Sequence, residues 1–566
     1  MKRTAFLVLF TISVVLALAW LIAFLRYDDS MRRDTTGMFF GYGALLPIDI
    51  PLGRFIHYGW MLIFPCLVFC VIQESNRFHQ QHLKGQIKNA SATSGALGKA
   101  GFASSEDLRR ARLIGLDPKE FGKGIRLGFD KKTSEVIRYR GEAHGILVAP
   151  ARSGKFRDTL AGIALEWEHS MVIVDPKGQI AAVTKKQREE VGRVFVLNPF
   201  NVWPEYLGPS ACYNPLSVLD PKSNEFDAEC DALADAIVVN EGAGDSHWPD
   251  SARLLVGGVM MHLVSKFPPE DQTLGNLRDI ISTSRLIQFC NSAIAIGDDV
   301  TKQKLADFAE VAAENKGELR SIVNNAKTQT GFITKAIAAN LTRSDFQFRD
   351  LKKEPITVYV VLPTRMFGVA GKWFRLIVAS ALSELMREER GQPVLALLDE
   401  FAQLGYLKAM RDAMGQSAGM GLQVFPILQD LNQLKMHYKD GWETFLANTE
   451  FRQFFKPNDV FTQEYVSKLT GITTVKVPNT NFGQSSGGGN SSSNSGISFG
   501  ETAQAVLQPY EVGRIGGDEF LMFAQGVDDV ILGARAPYYD KERCPDLRRL
   551  ASEDPYHLRK TASPAK

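Results

Sequence analysis

Hydrophobic residues in this chain change their spacing as it proceeds, and each spacing predicts a different kind of element. Residues 5–25, AFLVLFTISVVLALAWLIAFL, carry no charge and are long enough to cross a bilayer as a helix. A cleaved signal peptide fits less well, because the run is too long and no small-x-small cleavage site is evident. A second apolar stretch, residues 57–73 (HYGWMLIFPCLVFCVIQ), holds Pro65, which a membrane helix tolerates, and places Tyr58 and Trp60 where an interface favours them. Together they predict a transmembrane helical hairpin; a single span with the second stretch buried in protein is the alternative. Beyond it the apolar runs shorten to strand length, at 124–129, 146–148, 171–174 and 194–197, with helical stretches after the second and third. From 224 to 350 the period turns helical, with amphipathic segments at 226–239, 251–266, 273–289, 301–313 and 317–341 and almost no strand signal. Strand-length runs return at 356–361, 394–398 and 422–427, separated by helices over 369–389 and through Met414, and again at 520–523 and 530–532.

Alternating strands and helices of these lengths predict a largely parallel sheet with helices on its faces. The organisation expected is a membrane anchor over 1–84, a linker rich in Gly, Ala, Ser and Lys over 85–104, and a first α/β segment over 105–223. An all-α domain over 224–350 is inserted before a second α/β segment over 351–545, and a tail of mixed charge and poor order covers 546–566. Within the second α/β segment, 482–500 (FGQSSGGGNSSSNSGISFG) is too polar and glycine-rich to bury a core and reads as a flexible loop. Lys2 and Arg3 precede the first span, and Arg77, Lys84, Lys88 and Lys99 follow the second, which predicts that the N-terminus and the large C-terminal body share the cytoplasmic side.

Composition narrows this picture only a little. A chain of 566 residues, 45% apolar and 23% charged, has room for two to four domains with ordinary globular cores. A net charge of +2 gives no general attraction to nucleic acid, so any DNA contact must be local. Cys66 and Cys70 lie in the second apolar stretch, while Cys212, Cys230, Cys290 and Cys544 are scattered without a C-x-x-C pair. That argues against a zinc site or a disulfide framework and suits a reducing compartment.

The candidate chemistry sits where strands end. Residues 145–178, GILVAPARSGKFRDTLAGIALEWEHSMVIVDPKG, read as strand, glycine-containing loop, helix, strand. The loop Ala149, Pro150, Ala151, Arg152, Ser153, Gly154, Lys155, Phe156 approaches the phosphate-loop pattern G-x-x-x-x-G-K-[ST], with Ala149 in place of its first glycine and Phe156 in place of the Mg²⁺-binding hydroxyl. Backbone N–H groups around Ser153, Gly154 and Lys155, at a helix N-terminus, suit a phosphate, and the Lys155 ammonium can reach the β- and γ-phosphates. Far downstream, the apolar strand VLALL delivers Asp399 and Glu400 at its carboxyl end, one placed to handle Mg²⁺ and the other to polarise an attacking water. Gln429, at the end of the strand after that, is placed to touch the γ-phosphate or the water, or is an ordinary polar residue before a helix. The pair of motifs predicts a site for ATP or GTP with Mg²⁺ in a RecA-like P-loop NTPase core.

Read together, APARSGK, VIVDPKG, LTRSDFQFRDL followed by ITVYVVLP, LLDEFAQLG, AGMGLQVFPILQDLNQL and FKPNDVFTQEYVSKLTG resemble, in order, the stretches of the type IV coupling proteins, the TraG/TraD family. The resemblance spans nearly the whole chain. It implies a bacterial inner-membrane ATPase, hexameric around a channel. Such a protein recruits single-stranded DNA with its bound relaxase, protein effectors, or both, into a type IV secretion channel. It also implies that Lys155 and its loop bind phosphates, Asp399 handles Mg²⁺, Glu400 activates water and Gln429 senses the γ-phosphate. Some relatives place an arginine for a neighbouring subunit's phosphate where Ala418 stands here, and Arg452 is a replacement candidate. Phe156, bulkier than the family's usual residue, favours a second reading, a docking receptor with little turnover. A chromosome-partitioning DNA pump of the same superfamily is a third.

Overall fold

The structure, a computed structural model, describes residues 95–239, 247–314, 316–387, 391–416, 419–485 and 492–556. Both apolar stretches near the start, expected to span a membrane, lie outside them. The strands are β1 (Ile125–Asp130), β2 (Val136–Tyr139), β3 (His144–Val148), β4 (Ser170–Val174), β5 (Arg193–Leu197), β6 (Ile356–Val360) and β7 (Val394–Leu398). They continue with β8 (Leu422–Leu428), β9 (Thr449–Phe454), β10 (Ile472–Ser485), β11 (Ser492–Ala505), β12 (Glu519–Ala524) and β13 (Ile531–Ala534).

Eleven of these form one mixed sheet in the order β2-β1-β13-β12-β9-β3-β8-β7-β4-β6-β5. From β9 to β5 every neighbour runs parallel. The remaining strands join β9 as an antiparallel wing. Parallel strands are covered on both faces, which is why β3, β4, β6, β7 and β8 read as unbroken apolar runs and are buried along their whole length. Leu147, Ile173, Leu397 and Phe425, one from each of four strands, share a single core. Gly145 in β3 shows how tight that core is, since a Cβ there would stand 2.0 Å from the Phe451 ring of β9. The helical stretch Thr364–Arg387 is apolar and long enough to cross a membrane, yet it buries Trp373, Phe374, Leu376 and Ile377 in the fold.

Between β5 and β6 the described chain is helical, with helices Phe226–Ile237, His247–Lys266, Leu274–Ser282, Leu286–Ile296, Asp299–Glu314, Lys316–Gln329 and Lys335–Asn340. Two stretches expected as single helices, 273–289 and 317–341, are each broken in two. The first breaks at Thr283 and Ser284 and the second at Thr330 and Gly331, residues whose side-chain hydrogen bonding or backbone freedom competes with helix.

The antiparallel wing is tied to the parallel sheet by a buried charge cluster. Glu166, on the helix after the 149–155 loop, pairs with Arg138 of β2 at 2.7 Å and Arg126 of β1 at 3.2 Å, all with side chains under a tenth exposed. Burial alone would raise the Glu166 carboxyl, but the two guanidiniums outweigh it and hold it below its usual range.

Three segments expected to be loose are bonded where the structure describes them. Of residues 482–500, expected as a flexible loop, 482–485 and 492–500 are described, and they belong to β10 and β11, which pair antiparallel from Ile472↔Ala505 to Ser485↔Ser492. A two-stranded ribbon satisfies its backbone groups across the pair and needs no core of its own, so polar composition does not forbid it. The second half of the 85–104 linker is hydrogen-bonded along its backbone, Ala100 N–H to Ile472 O at 3.2 Å and Ala103 N–H to Val530 O at 2.9 Å. The start of the 546–566 tail is docked as well. Ser552 N–H donates to Val183 O at 2.8 Å, Gln179 bonds Asp554 at 2.7 Å, and the Tyr556 ring meets Trp203 edge-on.

Candidate functional site

The carboxyl ends of β3, β8 and β7, which lie side by side, carry the loop, Gln429 and the acidic pair respectively. Sheet order thus brings together residues nearly three hundred positions apart in sequence. After Val148, Ala149 N–H still bonds Leu428 O at 2.8 Å, and the chain then turns through Pro150, Ala151, Arg152 and Ser153, with Ser153 N–H reaching back to Pro150 O at 3.2 Å. Arg152 (φ 61°) and Gly154 (φ 91°) both take left-handed backbone. A Cβ on residue 154 would stand 2.6 Å from Asp158 Oδ2, so glycine is required there for space as well as for conformation. The helix opens with a π-type turn over Phe156–Leu160 and continues as Ala161–Glu166. The N–H groups at its start have no preceding turn to bond, which is the local chemistry of an anion site.

Lys155 extends from this loop into the strand ends. Its Nζ is 2.8 Å from Asp399 Oδ1 and 2.9 Å from Glu400 Oε1, and only 9% of the residue is exposed. Glu400 sits in left-handed backbone (φ 54°), an uncommon geometry for a non-glycine residue, directly after the buried Asp399. Gln429 Nε2 donates to the other Glu400 oxygen, Oε2, at 3.0 Å. Burial pushes Asp399 above its usual range and Lys155 only partly offsets this. At the more open Glu400 the same burial is outweighed by Lys155 and by Gln429, so its carboxyl lies below its usual range. Burial would lower Lys155, but the two acids outweigh it and raise it. The site therefore holds one cation between two carboxylates, one disposed to accept a proton and the other to stay charged.

A third acid stands behind them. Asp175, at the end of β4, is fully buried and accepts N–H bonds from Gln179 at 3.2 Å and Ala181 at 2.8 Å. Burial pushes it up to about 7; the amide bonds oppose this and the nearby Asp399 charge adds to it.

The residues present fit a phosphorylated ligand and a divalent cation. Lys155 and the open amides supply positive ends for phosphate, Ser153 Oγ is buried with no hydrogen-bond partner, and Asp399 with Glu400 supplies hard oxygen donors. Phe156 has no metal-binding atom in its side chain. Its ring instead packs edge-on against Tyr538 with centroids 5.8 Å apart, so only its backbone faces the loop's task. Arg452 is not gathered with the others; on β9 its guanidinium donates to the Tyr465 hydroxyl at 3.3 Å. Ala418 lies outside the described residues. Sequence reading missed Arg535, which comes from β13's end and donates to Ser153 O at 2.6 Å and Asp158 Oδ2 at 3.0 Å. Nothing local marked it, because only the fold of the antiparallel wing brings it to the loop.

A parallel α/β core with a glycine-containing anion loop, its lysine, and an acidic pair on a nearby strand end defines a P-loop nucleotide-binding protein. Residues 90–559 match the family described as Type IV secretory system Conjugative DNA transfer, and the chain belongs to that family. It is 29% identical over 367 residues to the conjugal transfer protein TraG of Escherichia coli, covering 60% of this chain and 56% of that protein. Over 414 residues it is 28% identical to protein VirD4 of Rhizobium radiobacter, covering 68% of this chain and 55% of that one. The chain thus spans a little over half the length of these curated relatives. Among solved structures it is similar to the bacterial conjugative coupling protein TrwBdeltaN70 in complex with sulphate, at a TM-score of 0.57 and 16% identity, over 77% of this chain and 93% of that one. The plasmid coupling protein TrwB in complex with ADP and Mg²⁺ gives 0.56 and 16% over 77% and 94%. These likenesses show the fold, a RecA-like core.

Proposed function

We propose that this protein is a type IV coupling protein, an ATPase anchored in the bacterial inner membrane that drives single-stranded DNA with its relaxase, protein effectors, or both, into a secretion channel. The observation that carries the reading is the convergence of Lys155, Asp399, Glu400 and Gln429 at three neighbouring strand ends in a chain of the conjugative DNA-transfer family. Loop amides and Lys155 bind the phosphates of ATP, Asp399 holds Mg²⁺, which supplies charge neutralisation on the phosphates, Glu400 orients and deprotonates water, and Gln429 holds Glu400 in place. In this reading residues 1–84 form a two-helix anchor with the N-terminus inside and the main body in the cytoplasm. Residues 224–350 form the all-α domain inserted in the core, and six copies surround a channel.

The test is ATP turnover by the detergent-purified protein with and without single-stranded DNA, beside Lys155→Ala and Glu400→Gln. Turnover that DNA raises, that Glu400→Gln lowers by about a hundredfold or more with ATP still bound, and that Lys155→Ala abolishes, supports the motor. ATP binding without turnover under every condition sinks it in favour of a docking receptor.

A further inference from the structure

We infer that Arg535 is a positioning residue of the phosphate loop, which aims the Gly154 amide by holding the carbonyl at the other side of the same peptide plane. The inference rests on the nucleotide site proposed above. In a trans peptide the C=O and the next N–H point in opposite directions, so whatever anchors Ser153 O also directs Gly154 N–H. The Arg535 guanidinium is that anchor, with Nη1 2.6 Å from Ser153 O.

The loop needs an external anchor because its own bonding is sparse. The Ser153–Gly154 peptide lies next to two left-handed residues, Arg152 and Gly154, and the loop's internal backbone bond is the 3.2 Å contact from Ser153 N–H to Pro150 O. Backbone in such regions keeps one shape only where its surroundings over-determine it. Arg535 is itself held at both terminal nitrogens, while its Nε is buried without a hydrogen-bond partner. It is 4% exposed, its guanidinium lies over the Phe455 ring at 4.1 Å, Nη1 pairs with Asp158 at 3.0 Å, and Nη2 donates to Gly517 O. Asp158 in turn belongs to the π-type turn after Lys155, so one guanidinium joins both ends of the Ser153–Asp158 arc. The segment beyond β13 adds a second grip, since Tyr538 N–H donates to Arg157 O at 2.7 Å and the Tyr538 ring meets Phe156. A bulky Phe156 is thereby accounted for as a contact for this segment.

A buried arginine that serves stability alone and one that shapes the loop differ in kinetics. Loss of folded protein lowers the apparent kcat and leaves KM where it was, whereas a misdirected amide raises KM and the Kd for ATP in protein that remains folded. The experiment uses the full chain, with Arg535→Gln, Arg535→Lys and Asp158→Asn measured for ATP binding, KM, kcat and thermal unfolding without nucleotide. Arg535→Gln is expected to raise Kd and KM for ATP by about tenfold or more, the scale of a lost charge-assisted hydrogen bond, with kcat within about threefold. Arg535→Lys, still able to donate to Ser153 O, is expected to recover most of that. Should Arg535→Gln not accumulate as folded protein, Asp158→Asn is expected to raise KM about threefold by loosening the anchor. Wild-type KM and Kd in whichever of these variants folds would overturn the inference alone. A wild-type protein that binds no ATP would overturn the nucleotide site and the inference with it.

Discussion

Replacing Lys155 with alanine is expected to cost the nucleotide-free protein stability as well as ligand binding. The ammonium stands 2.8 Å and 2.9 Å from two carboxylates and is almost fully shielded from water. Removing one partner of a buried ion pair costs about 3–5 kcal/mol, because the remaining charge is left uncompensated. Here two acids remain, and Asp399, already raised by burial, rises further and takes up a proton. An acid whose folded pKa lies above its unfolded value gives stability that is present below about pH 4 and lost as pH rises through the folded value. The deficit of Lys155→Ala should therefore be small near pH 4 and grow as pH rises above it, by up to roughly 1.4 kcal/mol per pH unit. The assay is thermal unfolding in detergent without nucleotide or Mg²⁺, with an expected drop of roughly 5–10 °C at pH 8 for a domain of this size. A midpoint within a degree or two of wild type at every pH would refute the account of Lys155 as the counter-ion of the resting site.

Gly154→Ala should abolish ATP binding and lower stability by about 1–3 kcal/mol, since the new Cβ would meet Asp158 Oδ2 at 2.6 Å in a left-handed conformation; equilibrium dialysis with ATP and thermal unfolding would read the two effects. Glu166→Ala strands two guanidiniums of the antiparallel wing and should lower stability by about 3–5 kcal/mol while ATP affinity of the folded fraction stays at wild type, a dissociation visible by calorimetry at low temperature. Asp175, raised by burial to about 7, contributes stability that is complete below about pH 4 and lost as pH rises through 7. Asp175→Asn should accordingly flatten the fall in unfolding midpoint between about pH 4 and 7, and an unchanged slope would exclude Asp175 as its source.

How much of this was legible in the sequence follows from which forces act locally. The buried parallel strands announce themselves because both faces must be apolar, so the unbroken apolar runs at β3, β4, β7 and β8 mark those strands almost to the residue. Lys155, Asp399, Glu400 and Gln429 were legible as well, since each follows such a run closely and strand ends are where parallel sheets present chemistry. In the antiparallel wing β1, β12 and β13 were legible as apolar runs, whereas the four-residue β2, with Arg138 in it, was not. Arg535 was invisible because its role is created by the pairing of β13 with β12 and β1, and no spacing within its own segment expresses that. The paired strands 472–485 and 492–505 and the docked start of the tail were missed for a different reason. Composition reports whether a segment can build a core, and these segments lean on backbone hydrogen bonds and on a surface supplied by others.

The same electrostatics links the two halves of the site. Lys155 now neutralises Asp399 and Glu400 together, so a phosphate that draws the ammonium away uncovers two carboxylates in a largely buried place. Leaving them unpaired is as costly as removing the lysine, and a proton on Asp399 or a second positive charge offsets it. Phosphate binding and divalent-cation binding are therefore coupled through one side chain, each relieving what the other exposes. Gln429, which bonds the Glu400 oxygen that Lys155 does not, keeps that carboxylate oriented whichever cation is beside it. In the motor proposed above, a carboxylate kept charged and aimed in this way is the base that hydrolysis needs in place when the ammonium moves off.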